Sequence, residues 1–514
     1  MRRTLVVHKA STYVRLTDFK PELVQQILRP FCKRNFYRVQ KQPIPGGGPS
    51  AFKWEVSHVF ARFNKDQTEL RFNVEKLPDL IKMMEENGYS KSRIQIENEE
   101  VIEAAPAKLK MKDPNIKPRN EIQIDYTDFM GGPKPLVVNN MGTGQGKTFC
   151  AIWTAVQLGK RVLITVLPRY VDIWIKAFGE FLDIHPTDIL VADTFGIERL
   201  HQTMKDGLIN PSIIILPLTK IDVYIKRMKE EPDLPGLDEV FRDLKCGFRI
   251  IDEAHESIYS VYMSLMFGNH AKTAALSATL QGDDDFINSI YNQIFPYHAY
   301  LRPPEYTKYI HVIAYSHRMD VNRYRINTKG FGGYSHVKFE QAIMKRTDVF
   351  EQYYQMLKEA FVTYYMDTYR EGQKAMWFFQ TVEICELFLK RLKKDYPDLD
   401  AIVFTAEQSS KKETKTAYRE HQVVITTPGS CGTGKDIPQL YIVFCPVSVS
   451  SSQRNDQMVG RTRPIDKWWP DLDPIFLYFV CPDIPKQVEY HRKRKTIFDK
   501  KMKKFTLIDS GSRI

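Results

Sequence analysis

Between residues 119 and 300, short apolar runs alternate with longer segments whose apolar positions recur at helical spacing. Each run is four or five residues long and rich in Val, Ile and Leu, which is typical of strands buried on both faces. Strands that alternate with helices in this way form a parallel sheet covered by helices. The pattern therefore predicts an α/β domain with strands at 136–139, 162–166, 189–192, 212–216, 248–251 and 273–276.

A second alternation of the same kind begins near residue 373. The segment between the two alternations, 301–372, is polar and rich in tyrosine, and it includes a long aromatic helix near 349–369. We expect this segment to bridge two tandem parallel-sheet domains, at 119–300 and 373–484. The strands predicted for the second domain are 375–379, 401–404, 423–426, 441–445 and 475–480.

The two ends of the chain have other patterns. Residues 1–100 mix strand-like runs with two helical segments that begin near prolines, as helix starts allow. This mixture predicts a small α+β domain, followed by a linker over 101–118. Residues 485–514 are predicted to form a basic C-terminal helix and tail. In the first domain the predicted strands are 4–8, 13–16, 36–39, 54–60 and 69–73, and the predicted helices are 21–31 and 77–87.

Positive charge is concentrated at both ends. The 514-residue chain has a net charge of +12, of which residues 1–62 carry +9 and residues 485–505 carry +7, so the remainder is negative. A polyanion such as nucleic acid is the predicted partner, although solvated basic surface over buried aromatics has the same composition. The cations near the N-terminus stand among aromatic residues, which suits phosphate contacts and base stacking. The candidate contacts are Arg34, Arg38, Lys53, Arg492, Lys493 and Arg494.

Composition narrows the class of protein. No apolar stretch is long enough to span a membrane, and the first residues lack the core and cleavage site of a signal peptide. The seven cysteines are scattered without metal-ligand or redox-pair spacing, which indicates a reducing compartment. We therefore expect a cytoplasmic protein without a membrane partner, monomeric or weakly oligomeric, and the sequence names no protein partner.

A glycine-rich stretch follows the first predicted strand of the first α/β domain. Such a turn lets several backbone N–H groups converge on one anion at a helix N-terminus. In a phosphate-binding loop of this kind Lys147 reaches the β- and γ-phosphates, and the Thr148 hydroxyl ligates Mg²⁺. Met141 stands where the strict pattern has Gly or Ala. The predicted loop consists of Gly142, Thr143, Gly144, Gln145, Gly146, Lys147 and Thr148.

Two acidic residues follow the apolar strand predicted at 248–251. Because the carboxyl ends of parallel strands meet at one edge, we expect Asp252 and Glu253 beside the phosphate loop. Asp252 would hold Mg²⁺ and Glu253 would orient or deprotonate the attacking water, since phosphoryl transfer needs positioning and charge neutralisation. Ser277 and Thr279 end the next strand, and their hydroxyls are expected to link the acidic pair to the second domain.

In order along the chain, the motifs are GTGQGKT, DEAH, SAT, TTPGSCGTGKDIP and QMVGRTR. Over about residues 118–482 this ordered set resembles the superfamily 2 helicases and translocases. The resemblance implies two RecA-like domains, ATP and Mg²⁺, and a coupling role for His255 together with Ser277 and Thr279. It also implies that Gly434 and Asp436 contact the ribose and the nucleic-acid backbone.

An arginine is predicted to act on the γ-phosphate as an arginine finger, although surface arginines on a helix are the alternative. Gln457 and Arg461 match the last motif of the family. The family's second arginine stands three residues later, where this chain has Pro464. Either Arg461 or Arg463 is therefore the finger, and Arg463 is favoured. By the same resemblance, Gln123 is a candidate for the upstream glutamine that contacts adenine.

The layout of basic α+β domain, compact motor and basic C-terminal helix resembles the UvsW-type bacteriophage recombination helicases. Residues 70–72 and the helical segment through 89 resemble the N-terminal domain of that family. The resemblance implies an ATP-dependent DNA helicase that remodels branched DNA by fork regression, Holliday-junction branch migration and R-loop removal. It also implies a phage-type enzyme in the cytoplasm of a bacterial host.

Three alternatives stay open at the level of sequence. The motor motifs are compatible with a double-stranded DNA translocase that does not separate strands, and a strand-separating pin, expected within 301–372, would distinguish the two. The Asp-Glu-Ala-His tetrapeptide also occurs in RNA-directed enzymes. A passive DNA-binding module with an inactive ATPase site is disfavoured, because Lys147, Thr148, Asp252 and Glu253 are all present.

Overall fold

The chain divides into two compact units, Met1–Pro304 and Glu305–Ile514. None of the helices in the described ranges is both long and apolar enough to cross a lipid bilayer. The computed structural model describes residues 5–43, 52–142, 144–192, 196–231, 233–277, 284–301, 308–330, 333–405, 417–431, 437–499 and 501–514.

A small α+β domain precedes the first α/β domain in the described part of the chain, as the predicted fold class states. Its strands are β1 (Leu5–Lys9), β2 (Tyr13–Thr17), β3 (Tyr37–Pro43), β4 (Phe52–Val59), β5 (Arg62–Phe63), β6 (Leu70–Asn73) and β7 (Ile94–Asn98). Five of them form a sheet in the order β5-β6-β2-β1-β7, in which β1 and β7 are parallel and the other pairs antiparallel. β3 and β4 form a separate antiparallel ribbon. The sequence pattern does not predict β5 or β7.

Two helical segments cover the five-stranded sheet. The first contains a π-helical turn between two α-helical parts, and the second is a regular helix whose buried face is apolar. Both pack their apolar side chains into one cluster with the inner faces of β1, β2 and β6. The bounds are Pro21–Leu23, Val24–Leu28, Arg29–Phe36 and Leu77–Glu86.

A six-stranded parallel sheet forms the centre of the first α/β domain. Its strands are β8 (Leu136–Asn139), β9 (Val162–Val166), β10 (Ile189–Val191), β11 (Ile213–Pro217), β12 (Phe248–Asp252) and β13 (Lys272–Leu276), in the order β10-β11-β9-β12-β13-β8. Each predicted strand is confirmed to within one residue at either end.

Helices cover both faces of this sheet, and one apolar cluster lies on each face. The cluster on one face is continuous with the core of the N-terminal α+β domain. The predicted linker packs on the same domain, with Ile102, Ala107 and Leu109 buried. The helices are Glu121–Gly131, Lys147–Leu158, Val171–Phe181, Gly196–Lys205, Leu218–Glu230, Leu237–Leu244, Ile258–Ser264 and Asp285–Ile294.

The second unit is built on a seven-stranded parallel sheet. The strands are β14 (Ile310–Arg318), β15 (Lys329–Gly330), β16 (Gly333–Tyr334), β17 (Lys374–Phe378), β18 (Ala401–Phe404), β19 (Val423–Thr426), β20 (Leu440–Cys445), β21 (Ile475–Val480) and β22 (Met502–Arg513). The order in the sheet is β18-β19-β17-β20-β21-β14-β22, and β15 and β16 form a separate antiparallel pair. The helices are His336–Met344, Thr347–Phe361, Val382–Asp395, Pro428–Cys431, Ser452–Val459 and Pro485–Phe498, and a π-turn, Val362–Met366, extends the second.

Two strands of this sheet come from segments to which the sequence pattern assigned no strand. β14 lies in the predicted bridge, and β22 follows the basic C-terminal helix in the predicted tail. The boundaries proposed for these segments stay predictions. The predicted fold class is confirmed: two tandem parallel-sheet α/β domains follow a small α+β domain, and a basic helix stands near the C-terminus.

Candidate nucleotide-binding site

Three adjacent strands of the first sheet bring the predicted motor residues to one edge. β8, β13 and β12 are neighbours, and their registers pair Asn139 with Leu276 and Leu276 with Asp252. The phosphate loop, Glu253 and Ser277 directly follow these paired residues. They therefore leave the sheet at the same carboxyl edge, where ligands bind in open parallel sheets.

The glycine-rich stretch forms a tight turn ahead of the helix that begins at Lys147. Gly144 and Gly146 have φ values of +82° and +95°, in the left-handed region that favours glycine. Gly146 is the N-cap of the helix, so a helix N-terminus stands where the sequence predicts phosphates. Lys147 Nζ donates hydrogen bonds to the carbonyl oxygens of Met141, at 3.1 Å, and Gly142, at 3.4 Å. The ammonium group is thereby held within the loop.

Gln123 supports the phosphate loop from the preceding helix. Its Nε2 donates to the carbonyl oxygen of Gln145 at 2.8 Å, and its Oε1 accepts from the N–H of Arg119 at 3.0 Å. A Cβ added at Gly146 would lie 2.5 Å from Gln123 Nε2, so the close approach also requires glycine. Gln123 is 2% exposed, and its predicted contact with adenine stays a prediction.

Both carboxylate oxygens of Asp252 accept hydrogen bonds at the end of β12. Oδ1 accepts from the N–H of Glu253 at 2.9 Å, and Oδ2 accepts from the indole Nε1 of Trp174 at 2.8 Å. Burial, and then the charge of Glu253, raise the pKa of Asp252 to about 7, while the bond from Trp174 and the charge of Lys147 oppose the rise. The electrostatics therefore favour a cation beside this carboxyl group.

Trp174 is the member of the site that the motifs do not reveal. It is fully buried on helix Val171–Phe181. In the sequence an aromatic residue on the apolar face of a helix is indistinguishable from ordinary core. Only the packing of this helix beside the end of β12 brings the indole N–H to Asp252, and no feature of the sequence could have shown it.

The Asp-Glu-Ala-His turn is joined to the residue that follows β13. Glu253 has a φ of +47°, which is uncommon for a residue with a side chain and is often found at functional sites. His255 Nδ1 lies 2.7 Å from Ser277 Oγ and 3.2 Å from Glu253 Oε2. The predicted coupling residues His255 and Ser277 are therefore in contact with each other, and His255 also contacts Glu253.

The side chains at this edge fit a magnesium-bound nucleoside triphosphate. Asp252 and Glu253 supply carboxylate oxygens, and Thr148 supplies a half-buried hydroxyl in the first turn of the helix. Hard cations such as Mg²⁺ bind oxygen ligands of this kind. Lys147 and the helix N-terminus supply positive charge for the phosphates.

The residues predicted in the second unit have different environments. Gln457 lies on helix Ser452–Val459 and is half-buried. Arg461 is 6% exposed, whereas Arg463 is half-buried. The greater exposure favours Arg463 for contact with a ligand. Four predicted residues of the two units lie outside the described ranges: Thr143, Thr279, Gly434 and Asp436.

The predicted nucleic-acid contacts also differ in exposure. Arg34, Lys53, Arg492 and Lys493 are exposed. Arg38 forms an ion pair with Asp284 at 2.7 Å.

Arg494 is the exception, because it lies inside the second unit with an exposure of 1%. Its Nε donates to Asn455 Oδ1 at 2.8 Å, its guanidinium bonds the carbonyl oxygen of Val447, and it stacks over Tyr478. These contacts give Arg494 a structural role. The exposed surface of the basic helix is formed by neighbouring residues such as Arg492 and Lys493 instead.

No family model and no curated protein matches this chain. Similar solved structures include S. cerevisiae Dbp5 bound to RNA and ADP BeF3, with 13% identity and a TM-score of 0.48 over 76% of this chain and 90% of that chain. The Pyrococcus furiosus Hef helicase domain has 14% identity and a TM-score of 0.44 over 73% and 98%. T4 UvsW has 15% identity and a TM-score of 0.33 over 99% and 100%.

A helicase domain and T4 UvsW are thus among the structures that this chain resembles, as the sequence predicts.

Proposed function

We propose that this protein is an ATP-dependent helicase of the superfamily 2 type that acts on nucleic acid. The observation that carries the proposal is the meeting of three motifs at one sheet edge. The phosphate loop, the Asp252–Glu253 pair and the contact between His255 and Ser277 leave adjacent strands there. An ATPase whose state is passed to a neighbouring segment needs this combination.

Each side chain has a defined task in the proposed hydrolysis. Lys147 and the N–H groups at the start of its helix bind the phosphates. Thr148 and Asp252 would hold Mg²⁺, which when bound would neutralise charge on the phosphate oxygens. Glu253 orients the attacking water and accepts its proton. Trp174 keeps Asp252 in one orientation through the 2.8 Å bond to Oδ2.

The contact between His255 and Ser277 is the proposed route by which hydrolysis is communicated. Glu253 Oε2 lies 3.2 Å from His255 Nδ1, so a shift of this carboxylate changes the partner of the imidazole. The imidazole also contacts Ser277 Oγ, and the segment after β13 is therefore sensitive to the state of Glu253. Arg463, with Gln457 and Arg461 nearby in sequence, remains the proposed arginine finger.

For the substrate we propose branched DNA. The basic ends of the chain, +9 over residues 1–62 and +7 over residues 485–505, supply the charge for a polyanion. The UvsW-type layout of the sequence favours fork regression, branch migration and R-loop removal in a bacterial cytoplasm. Translocation along duplex DNA without strand separation, or action on RNA, would use the same nucleotide site.

The ATPase rate tests the motor and its substrate together. We would measure it without nucleic acid and with single-stranded DNA, duplex DNA, a four-way DNA junction and a matched RNA. The Lys147→Ala variant is the blank, and Lys176→Ala, an exposed lysine of the same domain, is its control. We expect strong stimulation by the junction, and none in Lys147→Ala.

Each other result has a distinct meaning. Equal stimulation by plain duplex DNA would indicate a double-stranded DNA translocase that does not separate strands, rather than a helicase. Preferential stimulation by RNA would overturn the substrate and leave the motor. No hydrolysis under any condition would overturn the proposal, because the geometry of the site would then serve some other end.

A further inference from the structure

The ribbon of β3 and β4 carries an exposed apolar face. Val39 and Val56 are opposite each other in the antiparallel register, and Trp54 is two residues from Val56, so the three side chains lie on one face. Trp54 is 66% exposed and both valines are 49% exposed. Among the described strands, the ribbon pairs with none besides its own two. Adjacent apolar side chains that share an exposed face are the kind of surface at which binding partners are found.

Trp54 differs from the other aromatic residues of the domain. Phe31 and Phe36, which stand among the same cations in the sequence, are 1% and 0% exposed. The aromatic helix of the predicted bridge is no better placed, because Tyr353 and Tyr354 are buried as well. Trp54 is therefore much more accessible to a nucleobase than these four aromatic residues are.

The charge of the ribbon selects the class of partner. Residues 37–59 contain three basic side chains and one acidic side chain, within a segment that carries +9 over residues 1–62. Lys53, beside Trp54, forms an ion pair with Glu55 at 2.6 Å and is half exposed. A flat aromatic ring among cations suits a polyanion whose bases stack.

The other end of the ribbon rests on the two segments that follow the catalytic motifs. His58 lies 4.8 Å, ring to ring, from Tyr259, on the helix directly after the Asp-Glu-Ala-His turn. Arg38 pairs with Asp284 at 2.7 Å, and Asp284 caps the helix that follows β13 and Ser277. One of these helices follows the Asp-Glu-Ala-His turn in the chain, and the other is the next helix after Ser277 in the described residues.

We propose that the ribbon of β3 and β4 binds single-stranded nucleic acid, with Trp54 stacking on an unpaired base at the branch point. Its contacts to Tyr259 and Asp284 couple this grip to the state of the nucleotide site. The proposal deepens the helicase function and rests on it for the coupling. The binding itself requires no ATP.

Equilibrium binding of the full-length protein tests the stacking. The probes are a fluorescent oligothymidylate and a fork with oligothymidylate arms, without nucleotide. Because an aromatic ring supplies a stacking platform for a base, we expect Trp54→Ala to weaken binding to both by about tenfold. Trp54→Phe, which keeps a ring, should lose less. Tyr297→Ala, the matched control, removes an aromatic residue that is 86% exposed in the same unit and should bind like wild type.

A photocrosslinking measurement locates the contact directly. With 5-iodouracil in place of one thymine at the fork junction, we expect the crosslinked peptide to contain Trp54. If Trp54→Ala binds as tightly as wild type and the crosslink maps elsewhere, the proposal is wrong. It is also wrong if Trp54→Ala leaves binding intact and abolishes a dimer seen by light scattering, because the face would then join two copies of this chain. If the wild-type protein shows no ATPase activity but Trp54→Ala still weakens binding, the proposed helicase function is wrong and the proposed binding by the ribbon is not.

Discussion

A single indole N–H holds the carboxylate on which the proposed metal site depends. Trp174 donates to Asp252 Oδ2 at 2.8 Å, while burial, and then the charge of Glu253, raise the pKa of Asp252 to about 7. The bond therefore favours the charged form of a side chain that its surroundings would otherwise protonate. It also leaves Asp252 with one orientation, since its second oxygen accepts from Glu253.

We expect Trp174→Phe to weaken the binding of Mg²⁺ and to lower the ATPase rate by about tenfold. This loss of rate is smaller than the loss typically seen when an oxyanion-hole donor is removed. The reason is that Phe keeps most of the ring volume and removes the donor. A Mg²⁺ titration of the ATPase rate, beside a thermal melt, is the measurement. Trp153→Phe, a half-buried tryptophan of the same domain, is the control. An unchanged Mg²⁺ midpoint in Trp174→Phe would show that the bond is only structural.

Two glycines with positive φ differ in the space around them, so they can distinguish the effect of backbone conformation from the effect of a close neighbouring side chain. Gly146 has φ of +95° and a Cβ there would meet Gln123 Nε2 at 2.5 Å, whereas Gly159 has φ of +57° and open space around it. Because a left-handed backbone costs a residue with a side chain about 1–2 kcal/mol, we expect both Gly→Ala variants to lose about that much unfolding free energy. Only Gly146→Ala should also lose nucleotide affinity, measured with a fluorescent ATP analogue. Equal affinities in the two variants would contradict the role given to Gln123.

At the scale of elements, a buried carboxylate organises the start of a helix in the second unit. Glu340 is 1% exposed, and its two oxygens accept from the N–H groups of Gln380 and Thr381 at 2.7 and 2.8 Å. These groups precede helix Val382–Asp395, whose N-terminus favours a negative charge. Burial nevertheless dominates and raises the pKa of Glu340 to about 7.

The raised pKa has a consequence for stability. Between the ordinary carboxyl value and about pH 7, folded Glu340 keeps a proton that the unfolded chain has lost, so the free energy of unfolding falls as pH rises through this window. Glu340→Gln does not titrate. From pH 5 to pH 8 we expect its stability to improve relative to wild type, by at most about 3 kcal/mol.

Urea unfolding at both pH values measures the difference. Glu386→Gln, on the exposed face of helix Val382–Asp395, is the matched control and should follow wild type at both pH values. A constant difference between Glu340→Gln and wild type would mean that Glu340 stays charged throughout.

At the scale of the whole molecule, the charge at the two ends is the property that predicts a partner. The structure divides the C-terminal cations into exposed side chains, such as Arg492 and Lys493, and the buried Arg494. Deleting the basic tail would not isolate its charge, because β22 pairs along β14 and Phe498 is buried. Neutralising exposed side chains is the cleaner change.

We expect Arg492→Gln/Lys493→Gln to reduce the slope of log binding constant against log salt concentration on duplex DNA by about 1 to 2, since each lost phosphate contact lowers it by about 0.9. Binding measured at several salt concentrations tests this. Lys176→Gln/Lys229→Gln removes the same charge from exposed positions in the first unit. If both double variants give the wild-type slope, the C-terminal helix does not contact phosphate.

The sequence by itself determined the two α/β domains and the phosphate loop. Strands buried on both faces must be continuously apolar, and a tight turn at a helix start must use glycine, so β8 to β13 and Gly146 leave local signals. The motif order likewise predicts Lys147, Asp252 and Glu253, which the structure brings to one edge.

The tertiary structure alone decided which side chains meet. β14 and β22 contain polar residues, and the side chains of β22 alternate between half-buried and exposed at the sheet edge, so their local pattern does not distinguish them from loop or helix. Trp174 is buried like any core aromatic, Arg494 is basic like its exposed neighbours, and Trp54 stands among aromatics that are buried. The exposure of a side chain and its hydrogen-bond partners depend on segments that are far apart in the sequence. A local sequence pattern therefore cannot predict them.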